Sequence, residues 1–595
     1  MSNAPRLTFE RLTLNRLLLA AVPLAGLALA GCATLPTGTG VAVQPPPPAS
    51  IPLQDANASN YGLFLAGEAA LRGGRPEEAA RYFARAAQGA SDQNAVDQAL
   101  IREKAFEAAV MAGDIDKAAD LLPAPDATPA SMPQRLARLV RAVDYFASGH
   151  NKEANEALIA PGGGAAFAAG LTLIRPWVAA AAGDADRAVA MPDGPTPRLR
   201  RLAAQEGQAA LLERAKRYDE AETVLKALAT NPQLGVLYID SYGGFLERRS
   251  RTKDAVELYT SALKRMPNNR DIKISLARAT AGKRPPQMLN LKQGAAKSLT
   301  AAAELALVDK QINEGEVYLR LALKLDPTRD DAWVLLGDIR ASSDQHQFAR
   351  DAYAHVNTAS PAWPEARQRI VASYQAEGDN DTALKLTQDL IKTQPDNREA
   401  LITEADLLRA TNRYAEAVTV LDKVIASGAS NADWALYFER GTSLDRAGHW
   451  PEAEKDLLKA LTMRPDEPDV LNYLGYSWVV RGEKLQQAMG MLQKAYLAQP
   501  DSGEIADSLG WAYYSQGDFK TAVLRLERAV SLSPVSAEIT DHLGDAYWRI
   551  GRKTEAQYQW SRVLTLSPTA ELKSSVQQKL ASGLMGGPPA KGTAS

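Results

Sequence analysis

The chain has 595 residues, 46% of them hydrophobic and 23% charged, the balance of folded domains, which excludes wholesale disorder. Its 68 basic and 70 acidic residues leave a net charge of -2, without the basic surplus of a general nucleic-acid binder. From one cysteine and five scattered histidines (His150, His346, His355, His449 and His542) neither a disulfide framework nor a thiolate or paired-histidine metal centre can be built within one chain.

At the N-terminus Arg6, Arg11 and Arg16 precede an uncharged apolar run from Leu17 to Gly31. That run is shorter than the roughly 20 residues needed to span a bilayer and has the length of a signal-peptide core. It ends in Leu29-Ala30-Gly31 followed by Cys32, the one cysteine. Small residues before a cysteine resemble the lipobox of a bacterial lipoprotein, which implies cleavage after residue 31 and acylation of Cys32. Several acyl chains, as the resemblance implies, would anchor firmly where one would not. Ala33, not Asp, follows the cysteine; by analogy with known sorting signals this favours the outer membrane, with the chain facing the periplasm of a Gram-negative cell. Residues 32–59 include Pro45-Pro46-Pro47-Pro48 and read as a semi-rigid extended tether. No later segment is apolar enough to span a membrane, so the rest reads as soluble.

From residue 60 onward the pattern is helical. Residues 60–269 read as degenerate helical pairs: Ala79 with Ala86 marks one, and Ala221 and Ala255, 34 residues apart, mark two more. Residues 94–200 are Ala-rich with irregular spacing, around Ala118, Ala154 and Ala188. Arg284-Pro285-Pro286 interrupts the pattern, so 270–295 is expected to be a joint between two halves. Beyond it the period becomes strict. Pro327, Pro361 and Pro395 are 34 residues apart, and Pro465, Pro500, Pro534 and Pro568 follow at 35, 34 and 34. Twelve residues before these prolines stand small residues, among them Gly315, Ala349, Ala383, Ala453, Ala488, Ala522 and Ala556. Leu474-Gly475, Leu509-Gly510 and Leu543-Gly544 place another small residue in the helix before. Two helices that cross closely need small residues at the crossing, where a larger side chain would overpack at about 1–3 kcal/mol. The proline after the second helix ends it.

A 34-residue period with these columns resembles the tetratricopeptide repeat. The resemblance implies an all-α, right-handed α-solenoid of about 13–14 helical hairpins in two halves, with eight regular units over 296–570 starting near 296, 330, 364, 398, 434, 468, 503 and 537. Residues 571–582 read as a capping helix, which terminal repeats need for solubility, and the Gly/Pro-rich tail 583–595 as disordered. Leu471-Asn-Tyr-Leu-Gly-Tyr-Ser-Trp478, Asp507-Ser-Leu-Gly-Trp511 and Asp541-His-Leu-Gly-Asp-Ala-Tyr-Trp548 further resemble a family of Gram-negative repeat lipoproteins. One branch of that family, as the resemblance implies, partners and activates a periplasmic carboxyl-terminal processing protease.

Nothing in the sequence supplies catalytic chemistry. Nucleophile elbow, phosphate loop and dinucleotide fingerprint are all missing, so the expectation is a non-enzyme with no cofactor and no metal. What remains is surface. Positions 2, 5, 9 and 12 of each first helix are expected to face inward. They carry Asn472, Tyr476, Asp507, Trp511, Tyr514, Asp541, Asp545 and Trp548, an aromatic and acidic stripe. Two readings stay open: these aromatics anchor a protein or peptide segment, or Trp511 and Trp548 pack between neighbouring helices. The stripe has too few cations to clamp an acidic peptide tail. The expected partners are therefore proteins, with an envelope adaptor as the first reading and an accessory part of an export or assembly machine, or a holdase, as alternatives.

Overall fold

The computed structural model describes residues 59–88, 95–122, 132–159, 166–192, 196–267, 269–428 and 433–584. The signal, lipobox and tether lie outside these residues up to Ser59, as does the tail from residue 585. The described residues form thirty α-helices and one short 3-10 turn, with no strand among them. None of these helices is long and apolar enough to cross a membrane. They group into two compact units, 59–378 and 379–584.

In the first unit, some hairpins pair a long helix with a short one. Ala95–Ala112 is followed by Ile115–Asp120, and Ala168–Ala182 by Ala185–Val189; the irregular alanine spacing of 94–200 corresponds to these truncated second helices. The expected joint at 270–295 is corrected here. It holds one further helix, Arg270–Thr280, and then an extended link to Leu291–Val308. The next helices pack on hairpins far upstream. Leu291–Val308 lies against Ala168–Ala182, where the Trp177 indole N–H donates to Ser298 Oγ at 2.8 Å. Gly294 makes that approach feasible, since a Cβ there would stand 2.1 Å from the Trp177 ring. Ile312–Leu325 packs on Met132–Ala147 and on Ala95–Ala112. Arg340 and Glu316 form a buried ion pair, and Arg340 also donates to the Gly74 carbonyl at 3.1 Å. Pro285 and Pro286 cannot continue a helix, so the chain turns back and closes one core. The break between compact units instead falls after Gly378.

The second unit follows the strict period. After Asn380–Thr393 come five hairpins: Arg398–Ala410 with Tyr414–Ala426, Trp434–Arg446 with Trp450–Met463, Pro468–Arg481 with Leu485–Ala498, Gly503–Ser515 with Phe519–Leu532, and Ala537–Arg549 with Lys553–Val563. A last helix, Ala570–Ser582, closes the row. The columns act as their residue types require. Ala453, Ala488, Ala522 and Ala556 are fully buried, and a Cβ on Gly544 would stand 2.6 Å from Trp560. Local signals set the helix starts: the side chains of Asp518, Ser502 and Thr569 each accept from a backbone N–H of the first turn, satisfying an otherwise orphan donor.

Candidate functional site

Within the second unit, Pro468–Arg481 touches Gly503–Ser515, and Gly503–Ser515 touches Ala537–Arg549. Successive first helices therefore form one continuous row. All eight residues of the expected stripe lie on that row, but the structure puts them to three different uses.

At the C-terminal end the stripe is filled by the chain itself. Lys579, on the last helix, bonds Asp541 at 2.7 and 2.9 Å and Asp545 at 2.9 Å. Asp545 also accepts from the Trp560 indole at 3.0 Å. All three charged side chains are nearly buried. Burial opposes the Lys579 charge, yet Asp545 and Asp541 outweigh it and hold the ammonium above its ordinary range. Trp548 lies against Trp560, ring centroids 5.3 Å apart, and against Gly583, where a Cβ would stand 2.3 Å from the indole. For Asp541, Asp545 and Trp548 the structure thus supplies an internal partner in place of a free surface. The last helix is more than a polar cap, because its lysine neutralises the stripe.

The middle of the stripe is a stacked cluster. Trp511 stacks on Tyr514, centroids 4.5 Å apart and 7° from parallel, and on His542 at 4.1 Å and 22°. Tyr514 is buried in the core, and its hydroxyl accepts from Arg549 Nε at 3.0 Å. His542 Nδ1 lies 3.0 Å from both oxygens of buried Asp507. Packing is therefore the role of Tyr514, while Trp511, stacked against Tyr514 and His542, stays half-buried.

For His542, burial disfavours the imidazolium, but Asp507, then Asp541 and Asp545, raise its pKa above the ordinary value. The sign follows: the pairing contributes fully below an unfolded value of about 6.5 and is lost as pH rises through the folded value. Asp507→Asn removes the largest attraction. The imidazole's NMR titration midpoint is expected above about 6.5 in the parent and clearly lower in the variant; an unmoved midpoint would dismiss the pairing.

Asn472 and Tyr476, one repeat upstream, remain open. Both are half-buried. Asn472 Oδ1 is shut off from solvent and has no hydrogen-bond partner. The Tyr476 hydroxyl is pushed up, first by burial and then by Asp507 and Glu538. Continuing upstream, the row holds groups that the stripe did not include. Glu439 Oε2 is shut off from solvent without a partner, and burial, then the charge of Asp406, raise its pKa to about 7. Burial also raises Asp406, against the ion pair from Arg409 at 3.2 Å, and burial alone raises Asp469. Phe438 and Tyr473 meet edge to face at 6.0 Å beside them. Acids at inward-facing first-helix positions were the available signal. Asp406 stands at position 9 of its unit and Asp469 at position 2, but the aromatic pattern points to the last three repeats. Among the described residues no group of three or more His, Cys, Asp or Glu is placed to hold a metal ion.

Family models of the tetratricopeptide repeat match residues 374–436, 438–504 and 510–551, the hairpins that build this row. This chain carries tetratricopeptide repeats. A curated relative, the TPR repeat-containing protein PA4667 of Pseudomonas aeruginosa, is 27% identical over 186 residues. The match spans 31% of either chain, so about a third of that relative's length is covered. Among solved structures, MamA AMB-1 is 24% identical over 28% of this chain and 96% of its own, with a TM-score of 0.25. Cut9-Hcn1, from an APC/C hetero-tetramer, is 14% identical over 88% and 96%, with a TM-score of 0.36. YrrB, described as a TPR protein with an unusual peptide-binding site, is 20% identical over 32% and 97%, with a TM-score of 0.26. Tetratricopeptide repeats generally act as protein-interaction scaffolds.

Proposed function

We propose that this chain is a non-catalytic adaptor of the bacterial envelope, anchored to the outer membrane through lipid on Cys32, whose first-helix row binds a segment of a protein partner. The observation that carries this reading is the continuous row of first helices, matched by tetratricopeptide-repeat models over residues 374–436, 438–504 and 510–551, on which Asn472 and Tyr476 stand half-buried. The resemblance to the lipoprotein partner of a periplasmic carboxyl-terminal processing protease makes such a protease the first partner to test.

The test is crosslinked capture from intact envelopes with the parent chain and with an Asn472→Ala, Tyr476→Phe double variant. Neither change removes a hydrogen bond formed within the chain, so the melting temperature is expected to hold. Recovery of the partner is expected to fall about thirtyfold, the equivalent of one hot spot of about 2 kcal/mol. Equal recovery would remove the row from the partner's binding site.

Anchoring is tested separately. Cys32 is the one acylatable thiol, so Cys32→Ser is expected to release the chain from membranes or leave an uncleaved precursor. A mature chain that still fractionates with membranes would refute the lipid anchor.

A further inference from the structure

Between Asn60–Arg72 and Ala95–Ala112, in the first repeat, lies a groove of about 450 Å³ lined by Phe64, Leu65, Ala69 and Leu100. Leu65 and Leu100 are 48% and 46% exposed. Ile312–Leu325 packs on Ala95–Ala112 yet leaves Leu100 open, so the groove begins where the chain's own cover stops. The charges at its rim are already matched: Lys104 pairs with Glu68 at 3.7 Å, and Arg72 with Glu68 at 3.9 Å. An occupant without charge fits it, because a charge brought against apolar walls would lose its water. A segment of that kind enters the fold beside the groove. Ser59 caps Asn60–Arg72, accepting from the Gly62 N–H at 3.1 Å, and residues 33–58 precede it with a single charged side chain, Asp55. Ile51-Pro52-Leu53 is the nearest apolar run. Its reach permits a return: an extended chain spans about 20 Å from Ser59 to Leu53 and about 26 Å to Ile51. Along the helix, Leu65 lies about 8 Å and Ala69 about 14 Å from Asn60. Asp55 and Asn57, between the run and the helix, are residue types that favour turns. Proline pre-sets the extended form that aromatic-lined grooves accept, and Phe64 supplies the ring. An attached segment is present at an effective concentration on the order of millimolar, so weak affinity suffices where a free partner would need a tight one.

We propose that Ile51-Pro52-Leu53 folds back on the chain's own first repeat, with Ile51 and Leu53 seated in the groove between Phe64, Leu65 and Leu100. The segment then caps the terminal repeat, whose apolar surface needs a cover for solubility, and fixes where the tether leaves the solenoid. This assignment is independent of what the second unit binds.

The experiment places a photocrosslinker in the full chain as Leu53→p-benzoylphenylalanine and maps its adducts by mass spectrometry after irradiation of intact cells that produce it. Adducts within one chain are expected on Asn60–Arg72 and Ala95–Ala112. Closeness along the chain alone would give some of these, so the deciding quantity is their dependence on the groove. Leu65→Glu with Leu100→Glu, both at exposed positions, is expected to lower the yield at least tenfold. Ile51→Asp alters the segment instead and is expected to do the same, so a folding defect of the groove variant cannot mimic the result. A yield that either variant leaves unchanged, or adducts spread without preference over both units, would overturn the assignment. Adducts joining two copies of the chain would give the groove to a second copy, and adducts to another protein would give it to a partner; either outcome overturns docking within the chain.

Discussion

Lys579→Met is expected to cost the second unit about 3–5 kcal/mol, because it leaves two nearly buried carboxylates facing each other without their cation. The lysine side chain is 13% exposed, and those of Asp541 and Asp545 are 9% and 8% exposed, so water cannot take over its role. Burial raises the Asp545 pKa, and the charge of Asp541 raises it further even with the lysine present. Removing the ammonium takes away the attraction that opposes this rise and pushes Asp545 further toward the neutral form. The loss is therefore largest at neutral pH and shrinks as acid protonates Asp545. At about 2–4 °C per kcal/mol for a unit of this size, thermal melting resolves the effect easily. The triple variant Lys579→Met, Asp541→Asn, Asp545→Asn is expected to recover most of the stability, since removing both sides of a buried pair costs far less than removing one. A single variant that melts within about 1 kcal/mol of the parent would class the pair with exposed salt bridges.

Glu439→Gln is expected to act in the opposite direction. The folded-state value of about 7 lies well above the ordinary glutamate value of about 4.3. Between those two values the folded chain holds a proton that the unfolded chain has released. Stability therefore falls by about 1.4 kcal/mol per pH unit across that window and stays reduced above it. Glutamine never ionises, so the variant is expected to exceed the parent by on the order of 3 kcal/mol at pH 8 and to match it near pH 4.5. Melting temperatures across that range check the claim, and a difference independent of pH would refute it.

The small-residue columns and the proline spacing were sufficient to lay out the helices of the second unit. A residue such as Ala522 or Gly544 is small because two helices cross there, and that requirement is local and repeats with the hairpin. The irregular first unit was less legible. No period relates Trp177 to Ser298 or Arg340 to Gly74, and those pairings exist because the link at Pro285 and Pro286 turns the chain back on itself. At the candidate site the sequence again determined half of the answer. Periodicity fixed which positions of each first helix point along the row, so Asp541, Asp545, Asp507, Asn472 and Tyr476 were all found there. It carried no information about what arrives at those positions from elsewhere. Lys579 lies 38 residues beyond Asp541 and His542 lies 35 beyond Asp507, each brought in by the stacking of a later helix. Only the tertiary structure could decide that Asp507, Asp541 and Asp545 already have partners within the chain, because charge compensation depends on neighbours in space and a repeat fixes neighbours along the chain.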